Sequence, residues 1–295
     1  MIVDSYIHAW KWPDHFSANA SPGRRSPTAM DLPVESYLKE AEGTVDKAII
    51  IGMKVASFGT NIPNDYVAEC VRKHPDKLAG VCCVDPNEEG AVAEIERCVT
   101  GLGLIGLNLL PTYQHFYPHD EKYFPIYEKA QQLDIPVLFH AGLSHFRGTR
   151  LIFGDVRFID EVAVKFPELK IVIPHMGLGA YQDVVDMMEK NDNMFADISY
   201  LAHWAGVEKR HIRRDLPATE FPYFRWLRPI LYASSSVLTA DKLLFGSDWP
   251  MVNPRIGVEA LRNINTMLKE YGLPLIPRAT IENILGRNWR QVYRL

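Results

Sequence analysis

The sequence predicts a single (β/α)8 barrel of the TIM type that occupies residues 1–295. Eight short segments rich in Val, Ile and Leu alternate with amphipathic stretches along the chain. These segments are apolar on both faces, which is typical of parallel strands buried between helices and a barrel interior. Eight strands with crossover helices are the number that a closed barrel needs, and a chain of 295 residues is long enough for one such domain.

The elements follow in order. Helical periodicity marks residues 88–100, 121–133, 155–166 and 181–190, and proline-containing breaks end two of the helices just before a strand. We expect the final segment, 281–295, to form a helix that closes the barrel bottom or packs on its side. The eight predicted strands are 2–7, 46–52, 78–84, 103–109, 135–139, 169–174, 193–198 and 242–246.

Two connections are longer than the barrel requires. Residues 9–32 follow the first strand and residues 199–240 follow the seventh, and both are rich in aromatic and basic side chains. Both begin at the carboxyl ends of strands, where long loops commonly shape a substrate pocket or a lid. A subunit contact or plain surface is the alternative for each of them.

Composition excludes several classes of function. The net charge is −4 and the isoelectric point is near 6.2, which gives no electrostatic basis for binding nucleic acid or an anionic membrane. No apolar run approaches a membrane span, and the chain enters its first strand without a signal peptide. The four cysteines lack Cys-x-x-Cys spacing, so we interpret them as reduced core thiols in a cytoplasmic protein.

Four of the predicted strands end in a side chain that can bind a metal ion. His8, His140 and His175 end the first, fifth and sixth strands, and Asp248 ends the eighth. All strand carboxyl ends of a barrel open onto one face, so these distant residues are expected to converge. Imidazoles and a carboxylate suit zinc or a similar divalent ion. A single strand-end His is more often a hydrogen-bonded structural residue, but four such ends in one chain favour a metal site.

Several longer motifs accompany these strand ends, and through them the chain resembles the amidohydrolase superfamily. The resemblance is to the amidohydrolase-related proteins, which include aminocarboxymuconate-semialdehyde decarboxylase, aromatic acid decarboxylases, pyrone-dicarboxylate hydrolase and sugar lactonases. It extends over nearly the whole chain, and its motifs are specific for the family but weak for the substrate. The motifs are residues 123–128, 136–142, 166–177, 245–250 and 284–288.

The resemblance implies a mononuclear site with one divalent metal ion, zinc in the first place and manganese as the alternative. His8, His140 and Asp248 match metal ligands of the family. Asp248 also has the position of a general base, and His175 matches a group that polarises the substrate or handles a proton close to the metal.

Two positions depart from the family pattern. Tyr6 stands where the first histidine of the Asp-x-His-x-His motif is expected, and a phenol must lose a proton with a pKa of about 10 to act as a ligand. Three outcomes are open: a site with the three ligands His8, His140 and Asp248, a phenolate ligand, or loss of tight metal binding. Our hypothesis is the three-ligand site. Asn108 stands where binuclear members have a carboxylated lysine, and because asparagine cannot form a carbamate bridge, this departure argues against a binuclear centre.

Candidates for contact with substrate are basic or aromatic and follow predicted strands. Arginine suits bidentate binding of a carboxylate, and aromatic rings suit stacking on an aromatic substrate. A surface salt bridge is the alternative for each arginine, and a place in the core is the alternative for each tryptophan. The substrate-binding candidates are Tyr6, Trp10, His145, Arg147 and Arg255, with Trp12, Arg150 and Trp249 as further candidates.

The function predicted from the residues and the resemblance is hydrolysis of a small carboxylated or lactone-like organic compound through metal-activated water. Non-oxidative decarboxylation of an aromatic or unsaturated acid on the same scaffold is the second hypothesis. A catalytically inactive barrel that acts in binding or assembly is the third, and Tyr6 is the feature that motivates it. The predicted partner is a small-molecule substrate, and a homodimer stays open because related barrels are often dimers.

Overall fold

The structure is a computed structural model that describes residues 1–17, 30–144, 149–204 and 223–295. Eight parallel strands form one sheet, and each pairs with the next along the chain apart from a small hairpin. All eight predicted strands are present, although each is shorter than predicted, and the predicted fold class is confirmed. The strands are β1 Val3–Ile7, β2 Lys47–Ile51, β3 Met53–Val55, β4 Thr60–Ile62, β5 Leu78–Cys83, β6 Leu107–Leu109, β7 Val137–Phe139, β8 Ile171–Ile173, β9 Met194–Asp197 and β10 Leu243–Leu244.

Backbone hydrogen bonds between β1 and the residues around β10 close the barrel. Ser5 N donates to Phe245 O at 2.9 Å, and Ile7 forms an isolated parallel bridge with Trp249. Asp248 N donates to the carbonyl of Tyr6 at 2.9 Å. The predicted ligand strands, first and last in the barrel, are therefore direct neighbours.

The barrel interior is a packed apolar cluster that is closed at one end by the C-terminal segment. Asn288 Nδ2 donates to Leu243 O at 2.8 Å, which fixes this segment to the start of β10. A Cβ on Gly286 would lie 1.7 Å from the carbonyl oxygen of Met1, so only glycine permits this approach. The C-terminal segment therefore closes the bottom of the barrel. The cluster comprises Val3, Tyr6, Ile49, Ile51, Ala79, Val81, Leu138, Val172, Phe195, Leu244, Trp289, Val292 and Tyr293.

Helices cover the outside of the barrel, and their apolar faces pack on the outward-facing residues of the strands. In the part of the chain that the structure describes, no helix is long and apolar enough to cross a membrane. The four cysteines are free and buried, as predicted. The helices are α1 Val34–Ala41, α2 Asn64–Lys73, α3 Ala91–Glu96, α4 Pro111–Gln114, α5 Phe124–Gln132, α6 Arg157–Lys165, α7 Tyr181–Lys190, α8 Leu201–Trp204, α9 Arg228–Ser234, α10 Pro254–Arg262, α11 Ile264–Glu270 and α12 Arg278–Gly286.

The antiparallel hairpin β3–β4 was not predicted from the sequence. It follows β2 directly, and Gly59 adopts a left-handed backbone with φ +65° at its turn. Ser57 Oγ donates to the carbonyl of Tyr113 at 2.9 Å, and the Phe58 and Tyr113 rings lie 5.3 Å apart. The hairpin thus packs on the connection that follows β6, at the carboxyl ends of the strands.

The two long connections lie partly outside the described residues. In the first, Trp10 and Leu32 form an antiparallel bridge that joins its two ends. The central part of that connection, 18–29, and residues 205–222 of the second are among the residues that the structure does not describe. A role of these connections in shaping the substrate pocket remains a prediction.

Candidate active site

The side chains of His8, His140, His175 and Asp248 come together at the carboxyl end of the barrel, around the ring of Tyr6. The ring of Tyr6 lies 5.2 Å from that of His8 and 4.9 Å from that of His175. The rings of His140 and His175 are also 4.9 Å apart. His8 Nε2 and Asp248 Oδ1 are 3.6 Å apart. Five strand-derived side chains that are separated by up to 242 positions in the sequence therefore share one small buried volume.

Backbone geometry at the strand ends turns two of these side chains over the barrel mouth. His175 and Asp248 both have φ of +58°, in the left-handed region that non-glycine residues rarely adopt. Each such residue costs about 1–3 kcal/mol unless its surroundings hold it in place. Here Asp197 Oδ1 accepts from His175 N at 3.0 Å. Asp248 N donates to the carbonyl of Tyr6, and Asp4 Oδ1 accepts from the N–H of the preceding residue, Ser247, at 2.7 Å.

One ring nitrogen of His8 is fixed by the backbone and the other faces Asp248. His8 Nδ1 donates to Ile51 O at 3.0 Å, so Nε2 carries the lone pair. The 3.6 Å between Nε2 and Asp248 Oδ1 is longer than a hydrogen bond. It is close to the roughly 3.3 Å that separates two ligands of one tetrahedral zinc ion with bonds of about 2.0–2.1 Å.

His140 has a similar division between its ring nitrogens. Its Nε2 lies 3.1 Å from the hydroxyl of Tyr113, whereas its Nδ1 is buried without a hydrogen-bond partner. Ligand histidines of metal sites commonly donate their second N–H to such an oxygen. Burial lowers the pKa of His8 to about 4, and burial together with His8 lowers that of His140 to about 3. Both rings are therefore neutral near pH 7, the form that binds a metal.

Asp248 lies in surroundings that oppose its negative charge. Burial, and then the neighbouring carboxylates of Asp197 and Asp4, raise the pKa of Asp248 well above the usual value for an aspartate. A cation beside it would reverse this effect. Among the residues described, no group of three or more His, Cys, Asp or Glu side chains is arranged so that it could hold a metal ion as it stands. The donor types nevertheless fit a divalent ion: two neutral imidazoles, one of them with an unpartnered buried nitrogen, and a carboxylate beside the other.

Tyr6 contributes a ring to this cluster rather than a charge. It is only 1% exposed and packs in the barrel interior. Burial, followed by the charges of Asp248 and Asp197, raises the pKa of its phenol well above 10. The phenol is therefore neutral near pH 7 in the metal-free protein, and the choice between the three-ligand site and a phenolate ligand stays a prediction. The position of Asn108 is also buried, and its Nδ2 donates to Gly52 O at 3.0 Å while its Oδ1 has no partner.

The structure places several predicted substrate-binding residues elsewhere. The Trp10 side chain is 5% exposed and its Nε1 donates to Met30 O at 3.0 Å, which makes it part of the core. The Arg255 guanidinium donates to the carbonyl oxygens of Glu40 at 2.9 Å and Glu42 at 2.6 Å. These bonds stabilise the C-terminal end of α1 and give Arg255 a structural role, while its contact with substrate stays a prediction.

Of the three further candidates, Trp12 lies beside the Phe16 ring, with 5.1 Å between the ring centroids. Arg150 lies over the Phe153 ring at 5.2 Å, and Trp249 Nε1 donates to Glu40 Oε2 at 3.2 Å. His145 and Arg147 lie outside the described residues, and their contact with substrate stays a prediction.

Sequence reasoning missed four residues of the site. Tyr113 binds His140, and Tyr200 lies 5.9 Å from His175 between ring centroids. Asp197 and Ser199 contact His175 directly. Asp197 lies near the end of the predicted seventh strand, 193–198, and Ser199 follows it directly, so the pattern of polar side chains at strand ends could have identified them. Tyr113 follows the fourth strand, and nothing in its sequence context distinguishes it from a core aromatic residue.

Gly142 is required for the loops after β7 and β8 to meet. Its φ is +90°, and a Cβ built on it would lie 1.8 Å from the carbonyl oxygen of Gly177. We expect Gly142→Ala to lower the free energy of unfolding by about 3 kcal/mol or more, because it adds both backbone strain and a clash with backbone atoms. Chemical denaturation measures this loss. Gly43→Ala is the matched control, since Gly43 has φ of +72° but no atom within 4 Å of its Cβ position. Equal losses in the two variants would contradict the close approach.

Comparison with protein families decides the classification, because the family model described as amidohydrolase matches residues 3–295. The chain belongs to the amidohydrolase family. The predicted resemblance is thereby confirmed over almost the whole chain. Members of this family provide the comparisons that follow.

Two characterised relatives are enzymes that act on organic acids. The chain is 31% identical over 152 residues to 2-keto-4-carboxy-3-hexenedioate hydratase from Sphingobium sp. SYK-6, covering 43% of this chain and 45% of that protein. It is 26% identical over 220 residues to gamma-resorcylate decarboxylase from Polaromonas sp. JS666, covering 64% of this chain and 65% of that protein. The chain thus spans between about half and two thirds of these relatives.

Two solved structures share the fold and contain a metal ion. An amidohydrolase from Burkholderia multivorans with bound zinc has a TM-score of 0.67 and 15% identity, and the match covers 99% of this chain and 98% of that one. A 5-carboxyvanillate decarboxylase from Novosphingobium aromaticivorans with bound manganese has a TM-score of 0.65 and 16% identity, and the match covers 100% and 97%. At these identities the likeness establishes the shared barrel.

Proposed function

We propose that this chain is a metal-dependent enzyme that hydrolyses a small carboxylated or lactone-like organic compound. One observation carries the proposal: His8 Nε2 faces Asp248 Oδ1 at 3.6 Å, and His140 in the same buried cluster has an unpartnered Nδ1. Buried polar atoms are rarely left without partners, so an unpaired nitrogen beside two other donor atoms indicates a ligand. Zinc and manganese in structures of the same fold agree with a divalent metal here.

In this proposal His8, His140 and Asp248 hold one divalent ion, with zinc as the first choice and manganese as the alternative. When bound, the ion polarises a carbonyl oxygen and lowers the pKa of water. Asp248 accepts the proton of the attacking water, and His175 stabilises the charge that develops on the substrate or hands on a proton. His8, His175 and Asp248 are buried and His140 is half-buried, so bulk water has little access to the cluster, which strengthens each of these interactions.

The names of the relatives support the substrate class. The hydratase and the decarboxylases that match this chain are all named for small organic acids. A carboxylated substrate adds a negative charge to the site. The histidines there are neutral, and the raised pKa of Asp248 shows that its surroundings already oppose a negative charge. The cation in the proposed site resolves this conflict, because it is attracted to both the protein and the substrate carboxylates.

Decarboxylation is the second candidate, and one feature of the site favours it. Protonation of a substrate carbon after loss of carbon dioxide needs an acid, and Asp248 is a buried carboxyl group in the cluster that could supply this proton. The matches to gamma-resorcylate decarboxylases point in the same direction. Asp248 would then act as the general acid.

Product analysis separates the two candidates. The zinc-loaded or manganese-loaded protein is incubated in ¹⁸O-labelled water with gamma-resorcylate, 5-carboxyvanillate and 2-pyrone-4,6-dicarboxylate as probes, compounds for which relatives are named. Uptake of ¹⁸O into an opened product supports hydrolysis, whereas release of carbon dioxide without such uptake supports decarboxylation. Turnover that Asp248→Asn does not abolish would contradict both, and absence of turnover over a wide panel of acids and lactones would favour a non-catalytic barrel.

A further inference from the structure

A buried network of hydrogen bonds extends from His175 away from the proposed metal site. His175 Nδ1 lies 2.7 Å from Ser199 Oγ and 3.2 Å from the carbonyl oxygen of Ser199. Ser199 Oγ donates in turn to Asp197 Oδ1 through a short hydrogen bond. The same carboxylate oxygen accepts from Ser199 N at 2.9 Å and from His175 N at 3.0 Å. All three side chains are at most 2% exposed.

The direction of the donors in this network determines which nitrogen of His175 carries the proton. A carbonyl oxygen can only accept, so the approach of Ser199 O to Nδ1 requires a hydrogen on Nδ1. Ser199 Oγ can then accept from Nδ1 and donate its own hydrogen to Asp197, which satisfies every polar atom along the network. A hydrogen on Nε2 instead would place the Nδ1 lone pair against the carbonyl lone pairs, which is unfavourable in a buried site.

The network also supports the unusual backbone at His175. This residue is left-handed, with φ of +58°, and its N–H is bound by the Asp197 carboxylate. Both the main chain and the ring of His175 are therefore fixed by the same two residues of the seventh barrel strand. Such double fixation restricts both the position and the rotation of an imidazole, which a proton-handling group needs.

We propose that Ser199 and Asp197 are positioning residues that hold His175 as its Nδ1–H tautomer and reserve Nε2 for the substrate. Ser199 sets the tautomer through its carbonyl and hydroxyl oxygens, and Asp197 aligns Ser199 and the backbone of His175. With Nδ1 committed to Ser199, every proton that His175 gives to or takes from a substrate passes through Nε2. The expected effect on turnover rests on the proposed function, whereas the tautomer of His175 can be tested on the protein without a substrate.

Nuclear magnetic resonance of ¹⁵N-histidine-labelled protein tests the tautomer without any substrate. The chain has 10 histidines, and the spectrum of a His175→Gln variant assigns the signals of His175 by their disappearance. We expect long-range ¹H–¹⁵N correlations of metal-free and zinc-loaded wild-type protein to show a protonated Nδ1 and an unprotonated Nε2. A protonated Nε2 with a bare Nδ1 overturns the proposal directly, and this arm needs no variant of Ser199 or Asp197 to fold.

Variants of Ser199 test its contribution to positioning. In Ser199→Ala the carbonyl oxygen of residue 199 still favours Nδ1–H, but the ring loses its hydroxyl partner. We therefore expect shifted ¹⁵N signals of His175 and a fall in kcat of about tenfold or more with little change in KM, since general acid–base groups contribute about 10²–10⁴-fold in all. Ser199→Thr keeps the hydroxyl and is expected to restore both the spectrum and kcat. Thr239→Val is the matched control, because it removes a fully buried hydroxyl that binds Ala233 O instead.

Each result separates positioning from a merely structural role. Equal losses of stability in Ser199→Ala and Thr239→Val, with a changed His175 spectrum in Ser199→Ala alone, support the proposal. An unchanged spectrum and unchanged kcat in Ser199→Ala overturn it. The expected tautomer in a protein that turns over no substrate supports the positioning network and contradicts the proposed function, so the two failures are distinguishable.

Discussion

Replacing Asp248 by asparagine is expected to remove turnover and tight metal binding while leaving the barrel folded. The asparagine side chain has the same shape but no charge, so it is a poor ligand and cannot accept a proton. Loss of the proton-accepting group alone costs about 10²–10⁴-fold in kcat, and loss of the metal adds to that. Steady-state kinetics and metal analysis after dialysis against zinc measure both effects. Asp76→Asn, at an exposed aspartate, is the control.

The stability of the same variant has a defined sign. The pKa of Asp248 in the folded protein lies well above the unfolded value of about 3.8, so the folded state binds the proton more tightly. Without metal, wild-type stability therefore falls as the pH rises from the unfolded pKa to the folded pKa, and it stays low above that. Asp248→Asn lacks this loss, so its metal-free form should melt at a higher temperature than wild type near pH 7. Zinc should raise the melting temperature of wild type only. A variant that keeps full zinc binding would refute the ligand assignment.

Restoring the family pattern with Tyr6→His is expected to strengthen zinc binding. The new imidazole would enter the cluster beside His8, with which the Tyr6 ring is now in edge-to-face contact at 5.2 Å. A direct ligand should be worth more than the roughly 10–100-fold in affinity that an outer-shell partner contributes. The smaller side chain leaves space among the interior residues, so we expect a loss of about 1–3 kcal/mol in the free energy of unfolding without metal.

Competition with a chelating dye measures the zinc affinity of the wild type and the Tyr6→His variant. Tyr6→Phe is the control, since it keeps the ring and its packing and adds no donor. A gain in Tyr6→His alone supports the three-ligand site of His8, His140 and Asp248. Equal affinity in all three proteins would show that the metal, if bound, lies away from position 6. Loss of zinc in Tyr6→Phe would instead indicate a phenolate ligand.

The barrel could be predicted from the sequence because burial on both faces makes its strands nearly continuous apolar runs. The predicted helix 181–190 has the same ends as the observed helix Tyr181–Lys190, and each of the eight barrel strands lies inside its predicted range. The hairpin β3–β4 was missed because its strands have three residues each and face solvent in part, so they carry no apolar run. Short exposed pairs of this kind are fixed by contacts with distant residues, here Tyr113.

The convergence of the strand-end residues followed from topology alone, since every strand of a parallel barrel points the same way. What the sequence could not supply is the direction of individual side chains in the loops. Arg255 and Trp10 have side chains of a type that could bind a substrate, and each follows a predicted barrel strand. In the structure their side-chain nitrogens donate to backbone carbonyl oxygens instead. Those acceptors lie 213–215 and 20 positions away, and only the folded chain shows that they are neighbours.

The left-handed backbone at His175, Tyr200 and Asp248 has a consequence for the evolution and engineering of this barrel. Replacement by glycine or asparagine relieves this backbone strain, which costs about 1–3 kcal/mol per position. At Asp248 the replacement also removes a carboxyl group whose negative charge is opposed by burial. A library selected for heat resistance alone should therefore collect replacements at these positions and lose the proposed chemistry. Thermostable variants that keep activity will need their gains on the helical exterior and the lower half of the barrel.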